Sequence, residues 1–185
     1  KFITFGSFNN FNKINEKVIK TWATILKNIN GSKLILKSST KKEIELFKNT
    51  LKKFDVLNSV VFLPTAKLFQ DHLKLYENID IALDTFPYNG VTTSFEAIWM
   101  GVPVITMKGY NFNSRCGESI NNNMQMQNLI AKNEEDYVSI AANLANDKKQ
   151  LLEVRKKIFD TALSSPLFNK QQFNKNFFKL IDKVN

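Results

Sequence analysis

At 185 residues, with 43% hydrophobic and 23% charged residues, the chain has the size and composition of one folded globular domain, which excludes a disordered, coiled-coil or collagen-like polymer. No run of about 18 apolar residues occurs and the opening Lys1-Phe2-Ile3-Thr4-Phe5-Gly6 turns polar too soon for a signal peptide, so no membrane partner is expected; the lone Cys116 excludes an intrachain disulfide and fits a reducing cytoplasm. The net charge of +9 invites a nucleic-acid partner, but the lysines are scattered singly or in pairs with no nucleic-acid-binding motif among them, so none is expected.

Short β-rich runs alternate with longer amphipathic ones. The chain reads as a strand at Phe2–Ser7, a helix at Glu16–Asn28, a strand at Lys33–Lys37 and a helix at Lys42–Phe54. It continues with a strand at Val60–Leu63, a helix at Lys67–Tyr76, a strand at Ile79–Leu83, a helix at Thr93–Met100 and a strand at Val104–Met107. In Glu16–Asn28 the apolar Val18, Ile19, Trp22, Ile25, Leu26 and Ile29 recur along one face of a 3.6-residue period, which secures a helix. After Met107 only helices are expected: Ser114–Asn122, Glu134–Asn146, Lys148–Ala162 and Lys170–Lys183. Such alternation predicts a doubly wound, parallel, Rossmann-like α/β sheet with extra C-terminal helices, residues 1–185 forming one domain. The last helix carries Phe173, Phe177, Phe178 and Ile181 on one face with no strand after it, so it is expected to dock outside the sheet order.

Ligands of open α/β sheets bind beyond the carboxyl ends of the strands, here in the loops after Ser7, Leu63 and Leu83. The richest of these is the run from Asp84 to Thr106. Asp84, Pro87, Asn89 and Gly90 break the strand into a tight loop, and Thr92 and Thr93 then open a helix whose first amides face an anion site. A diphosphate placed there would meet the positive helix end and both hydroxyls, while Glu96, one turn on, would accept hydrogen bonds from a ribose. A plainer reading stands beside this one: Thr93-x-x-Glu96 is a capping box, Asp84 a strand end and Gly101-Val102-Pro103 a turn. In the loop Gly6-Ser7-Phe8-Asn9-Asn10-Phe11-Asn12-Lys13-Ile14, Lys13 is either a phosphate partner or a solvated charge. His72, the one histidine, lacks the company a metal ligand needs; it lies either beside a nucleobase or on a helix surface.

Taken together, the Gly6–Ile14 loop, Asp71-His72, the Asp84–Thr106 run, Ser114-Arg115-Cys116-Gly117 and Ser164-Ser165-Pro166-Leu167-Phe168 resemble the C-terminal catalytic domain of the O-GlcNAc transferase and SPINDLY O-fucosyltransferase family. The resemblance covers nearly the whole chain. It implies a GT-B architecture of two Rossmann-like halves facing across a cleft, with this chain as the second half and with the first half and tetratricopeptide repeats as its partners. It implies Lys13 as the catalytic group that steadies the leaving diphosphate, and Asn10, Lys67, His72, Thr92, Thr93 and Glu96 as residues lining the donor, Glu96 at the ribose. Asn10 stands where the O-GlcNAc enzymes often carry a glutamine, and Lys67 is the nearest match to a base-contacting lysine that does not align cleanly. The implied reaction moves GlcNAc from UDP-GlcNAc, or fucose from GDP-fucose, to a Ser or Thr hydroxyl with inversion. No cofactor is implied, and no metal is expected where no Asp-x-Asp pair exists to hold one. Two other readings remain open at this point: a non-catalytic nucleotide-binding module, and a GT-B transferase with a lipid or polysaccharide acceptor.

Overall fold

The computed structural model describes residues 2–38 and 40–183. Six strands form one sheet: β1 (Thr4–Ser7), β2 (Lys33–Ser38), β3 (Val60–Pro64), β4 (Ile81–Leu83), β5 (Val104–Met107) and β6 (Ile130–Ala131). Every pairing is parallel and the spatial order is β3-β2-β1-β4-β5-β6. The chain thus winds outward from β1 to β3, returns across the sheet, and winds outward again from β4. Where the direction reverses, between β1 and β4, such sheets hold their ligands at the carboxyl ends, and here Ser7, Asn9, Asp84 and Thr93 line a crevice at that point.

The helices are α1 (Glu16–Asn28), α2 (Lys41–Lys53), α3 (Phe69–Lys74), α4 (Thr92–Trp99), α5 (Cys116–Asn123), α6 (Glu134–Asn146), α7 (Lys148–Ala162) and α8 (Lys170–Ile181). In α1 the predicted apolar face is buried: Val18, Ile19, Trp22, Ile25 and Leu26 pack inward, and Asn15 caps the start by accepting the Val18 amide at 3.0 Å. Burying such side chains stabilises the fold by about 1.5–3 kcal/mol each. α1 packs on α2 and α6, and α4 packs on α5 and α7, so the sheet is covered on both faces. At the opposite end from the crevice, the Arg155 guanidinium of α7 donates to the carbonyls of Ile79 and Asp80, and Asp80 accepts the Thr4 amide. This clamp fixes the amino ends of β1 and β4 against each other.

Three expectations need correction. A sixth strand, Ile130–Ala131, follows β5; it pairs through only two residues, too few to give a period of its own. The helix expected over Lys67–Tyr76 is shorter, Phe69–Lys74, and passes into a 3-10 turn at Leu75–Asn78, a change of winding that spacing over four residues does not reveal. The last helix ends at Ile181, and none of its residues is buried. Phe173 and Phe177 stack on each other at 5.9 Å between centroids but remain 63% and 48% exposed. α8 therefore stands outside the sheet order with its aromatic face on the surface, and the docking expected of that face is not formed among the described residues.

Candidate functional site

The loop after β4 is organised by a fully buried carboxylate. Asp84 Oδ1 accepts the amides of Thr85 at 2.8 Å and Gly90 at 2.6 Å, and Oδ2 accepts the Thr106 hydroxyl of β5 at 2.8 Å. Burial pushes its pKa up to about 6, although these three hydrogen bonds and the charge of Lys13 pull the other way. Asp84 is thus more than a strand end: it closes the Thr85–Gly90 loop on itself. Two glycines permit that closure. A Cβ on Gly90 would lie 2.6 Å from Thr93 Oγ1 and 2.9 Å from Asn9 Oδ1, and one on Gly117 would collide with the Thr106 side chain and come within 2.8 Å of Asp84 Oδ2. The start of α5 consequently presses against the same carboxylate.

α4 leaves this loop without a cap of its own. Asn15, Thr40, Asn133, Asp147 and Asn169 cap α1, α2, α6, α7 and α8 with their side chains, whereas α3, α4 and α5 have no side-chain cap, Val91 occupying that position in α4. The capping box of the plainer reading is not formed. Thr93 donates its hydroxyl to Asn9 Oδ1 at 2.9 Å, across the crevice to the loop after β1, and Glu96 turns to a different partner. Thr92 is exposed at the helix start. The first turn of α4 therefore presents amide hydrogens and the Thr92 hydroxyl where a helix carries its partial positive charge.

Lys13 reaches the same place from β1. It sits at the end of a 3-10 turn, Phe11–Lys13, and its Nζ donates to the Asn89 carbonyl at 2.9 Å while lying 4.2 Å from the centre of the Tyr88 ring. Desolvation lowers its pKa below the ordinary lysine value, and the nearby Asp84 opposes that shift. Together these contacts hold an ammonium at the mouth of the crevice, beside the uncapped end of α4.

The third strand end contributes His72, on α3. Its Nε2 lies 2.8 Å from Glu96 Oε2, its Nδ1 lies 3.1 Å from Lys37 Nζ at the end of β2, and the Tyr76 hydroxyl also donates to Glu96 Oε2 at 3.1 Å. Both His72 and Glu96 have side chains only 12% exposed, so His72 is not the helix-surface residue that one reading allowed. Burial and the adjacent Glu96 drive the Tyr76 phenol far above its ordinary range, which keeps it a neutral donor.

Thr93, Glu96 and His72 are thus joined directly or through Tyr76 beside the β1/β4 crevice, with Thr92 on the same helix end and Lys13 held separately by the Asn89 carbonyl. Asn10 and Lys67 are not drawn in. Asn10 is exposed and its side chain accepts the Asn12 amide, capping the 3-10 turn; Lys67 is exposed in the loop before α3 and makes no hydrogen bond or ion pair among the described residues. Sequence reading passed over Asn9, which is buried and bonds both Thr93 and, at 3.4 Å, Asp84. It also passed over Lys37 and Tyr76. A signal for Asn9 was present: it is the first of two amides after a strand, and the second already serves the turn. Among the described residues no group of three His, Cys, Asp or Glu side chains could hold a metal ion.

The sequence profile of glycosyl transferase family 41 matches residues 1–177. The chain belongs to that family. Among its relatives, the "Probable UDP-N-acetylglucosamine-peptide N-acetylglucosaminyltransferase SPINDLY" of Eustoma exaltatum subsp. russellianum is 40% identical over 176 residues, 93% of this chain and 19% of that protein. The UDP-N-acetylglucosamine-peptide N-acetylglucosaminyltransferase of Caenorhabditis elegans is 31% identical over 172 residues, 92% of this chain and 15% of that protein. A solved mutant of the O-GlcNAc transferase of Thermobaculum terrenum superposes with a TM-score of 0.86 at 31% identity, over 92% of this chain and 33% of that one. The family 41 chain thus spans about a fifth or less of the curated relatives it matches, 19% and 15%. Its six-stranded parallel sheet with flanking helices corresponds to one Rossmann-like half of the GT-B architecture. No helix among the described residues is long and apolar enough to cross a membrane.

Proposed function

We propose that this chain is the donor-binding half of an inverting glycosyltransferase that transfers a sugar from a nucleoside diphosphate to a Ser or Thr hydroxyl of a protein. The observation that carries the reading is the convergence, at one topological switch point, of an ammonium from the β1 loop and an uncapped helix end from the β4 loop, with the His72–Glu96 pair beside them. Those groups suit the successive parts of a nucleotide: phosphates at Lys13 and the first turn of α4, ribose at Glu96, base near His72. The names of the relatives supply the peptide acceptor and put UDP-N-acetylglucosamine first as donor; GDP-fucose is the alternative.

In the transfer, a lone pair of the acceptor oxygen forms the new bond to the anomeric carbon. The bond from that carbon to the diphosphate breaks, its electron pair leaving with the phosphate oxygen, and the hydroxyl proton is released. Negative charge therefore grows on the diphosphate as the transition state is reached. Lys13 and the α4 amides are already fixed where that charge appears, so they stabilise it without reorganising. Acceptor positioning belongs to the opposing half and to repeats, which are the proposed partners. The test is calorimetric titration of the 185-residue chain with UDP and GDP, beside a turnover assay with a protein acceptor. Saturable binding of one diphosphate without turnover is expected. Binding of neither sinks the nucleotide reading, and turnover by this chain alone sinks the division into halves.

A further inference from the structure

We infer that Lys37 is a positioning residue that holds the donor's ribose-binding carboxylate in place through His72, an inference that rests on the nucleotide reading given above. Lys37 lies at the carboxyl end of β2, half-buried, with Nζ 3.1 Å from His72 Nδ1. An ammonium has three donors and no lone pair, so the ring nitrogen facing it is the acceptor. That choice fixes the tautomer: His72 is a neutral imidazole with its proton on Nε2, and Nε2 donates to Glu96 Oε2 at 2.8 Å. The Tyr76 hydroxyl lies against the same oxygen at 3.1 Å.

The consequence concerns the two oxygens of Glu96. Oε2 is held by donors from α3 and from the 3-10 turn after it, whereas Oε1 has no hydrogen-bond partner among the described residues. A carboxylate pinned by one oxygen and free at the other, one turn above the phosphate-facing end of α4, suits the vicinal hydroxyls of a ribose. Lys37 is kept in register by more than His72, for its Nζ also lies 5.6 Å from the centre of the Phe8 ring, and Phe8 packs edge-on against Tyr76 at 4.7 Å. The arrangement lets a charge on β2 orient a carboxylate on α4 through the imidazole between them. Removing the ammonium frees the imidazole to turn over or change tautomer, and Glu96 Oε2 then keeps only the Tyr76 hydroxyl as a fixed donor.

His72 is the only histidine in the chain, so its side-chain nitrogen signals need no assignment. The experiment compares the chain with its Lys37→Met and Lys37→Arg variants by nitrogen-15 NMR of that ring and by calorimetry with UDP, GDP and pyrophosphate. The unsubstituted chain is expected to show one tautomer, protonated at Nε2. Lys37→Met should give a tautomer mixture and weaken whichever nucleoside diphosphate binds by about tenfold, the size of one lost charge-assisted hydrogen bond, while pyrophosphate still binds. Lys37→Arg, which keeps the charge and donor, should restore both signatures. An unchanged tautomer and unchanged diphosphate affinity in Lys37→Met would overturn the inference, as would an equal loss for pyrophosphate, which would make Lys37 a phosphate ligand or a residue needed for folding. If the unsubstituted chain binds pyrophosphate but neither UDP nor GDP, the nucleotide reading itself fails and the inference falls with it.

Discussion

Thr93 Oγ1 and Asn9 Oδ1, 84 residues apart in sequence, meet at 2.9 Å and tie the first turn of α4 to the loop after β1. The bond draws together the two strand ends that border the crevice, so the phosphate-facing groups on either side are set relative to one another before any ligand arrives. Such preorganisation is what a site needs if charge is to be met without rearrangement.

The first expectation separates Asn9 from its neighbour. Asn9→Ala removes the acceptor of the Thr93 hydroxyl and one of the donors to Asp84 Oδ1 inside the buried loop, and should destabilise the chain by about 1–3 kcal/mol in urea unfolding. It should also weaken nucleoside diphosphate binding. Asn10→Ala touches only the exposed 3-10 turn, and is expected to leave diphosphate affinity within a factor of about two, roughly 0.5 kcal/mol or less. A large affinity loss for Asn10→Ala with none for Asn9→Ala would reverse the assignment of the two amides.

Lys13 and Glu96 should fail in different ways. Lys13→Ala removes an ammonium held at the phosphate end, so it should weaken the diphosphate by about 1.5–3 kcal/mol and the nucleoside hardly at all. Glu96→Gln should weaken nucleoside and diphosphate alike. Because the capping box is not formed, Glu96→Ala does not uncap α4, and a binding loss cannot be blamed on a frayed helix. Parallel titrations with uridine, guanosine and their diphosphates decide the matter; identical profiles for the two variants would merge the phosphate and ribose subsites.

Much of this was legible in the residues, and what was not has physical causes. The apolar period of α1 and the buried runs around Leu34 and Ile81 carried the parallel sheet, because burial on one face or both leaves a pattern in the chain. Lys13, Thr93 and Glu96 stood out because charged or hydroxyl residues at strand ends are conspicuous. The Thr93-x-x-Glu96 spacing was ambiguous for a good reason: a capping box is a local bargain, and here tertiary partners, Asn9 and His72, take both side chains away from it. Lys37 was invisible, since a lysine ending a strand reads as a solvated charge until β2 is placed beside α3. Asn9 and Asn10 have identical chemistry, and only the fold buries one and exposes the other.

The aromatic face of α8 should be silent in this chain. Phe173, Phe177 and Phe178 touch one another and nothing in the sheet's core, so replacing all three by serine is expected to change stability by no more than about 0.5 kcal/mol per site. If the opposing half covers this face, the same triple change in a longer family 41 protein that carries that half should destabilise it. Urea midpoints of the two proteins with and without the substitutions provide the check, and a large loss in the 185-residue chain would show that α8 already packs at home.

Asp84 should impose a pH dependence on stability, with a sign that follows from its raised pKa. Burial lifts it from the ordinary 3.8 to about 6. Between those values the folded chain binds the proton that the unfolded chain has released, so stability falls as pH rises. The contribution is present in full below about pH 4 and is lost as pH passes through about 6, a difference of about 3 kcal/mol by pH 7 at 1.36 kcal/mol per unit. Asp84→Asn removes the titration and keeps much of the geometry, because the amide oxygen still accepts from Thr85 and Gly90 and the amide nitrogen donates to a rotated Thr106 hydroxyl. The variant should therefore gain on the parent protein in urea unfolding as pH rises from 4 to 7.5. At high pH it should also lose some hold on Lys13, whose ammonium the Asp84 carboxylate favours. Stability curves that run parallel across that interval would mean that Asp84 is no harder to ionise in the folded loop than in the open chain.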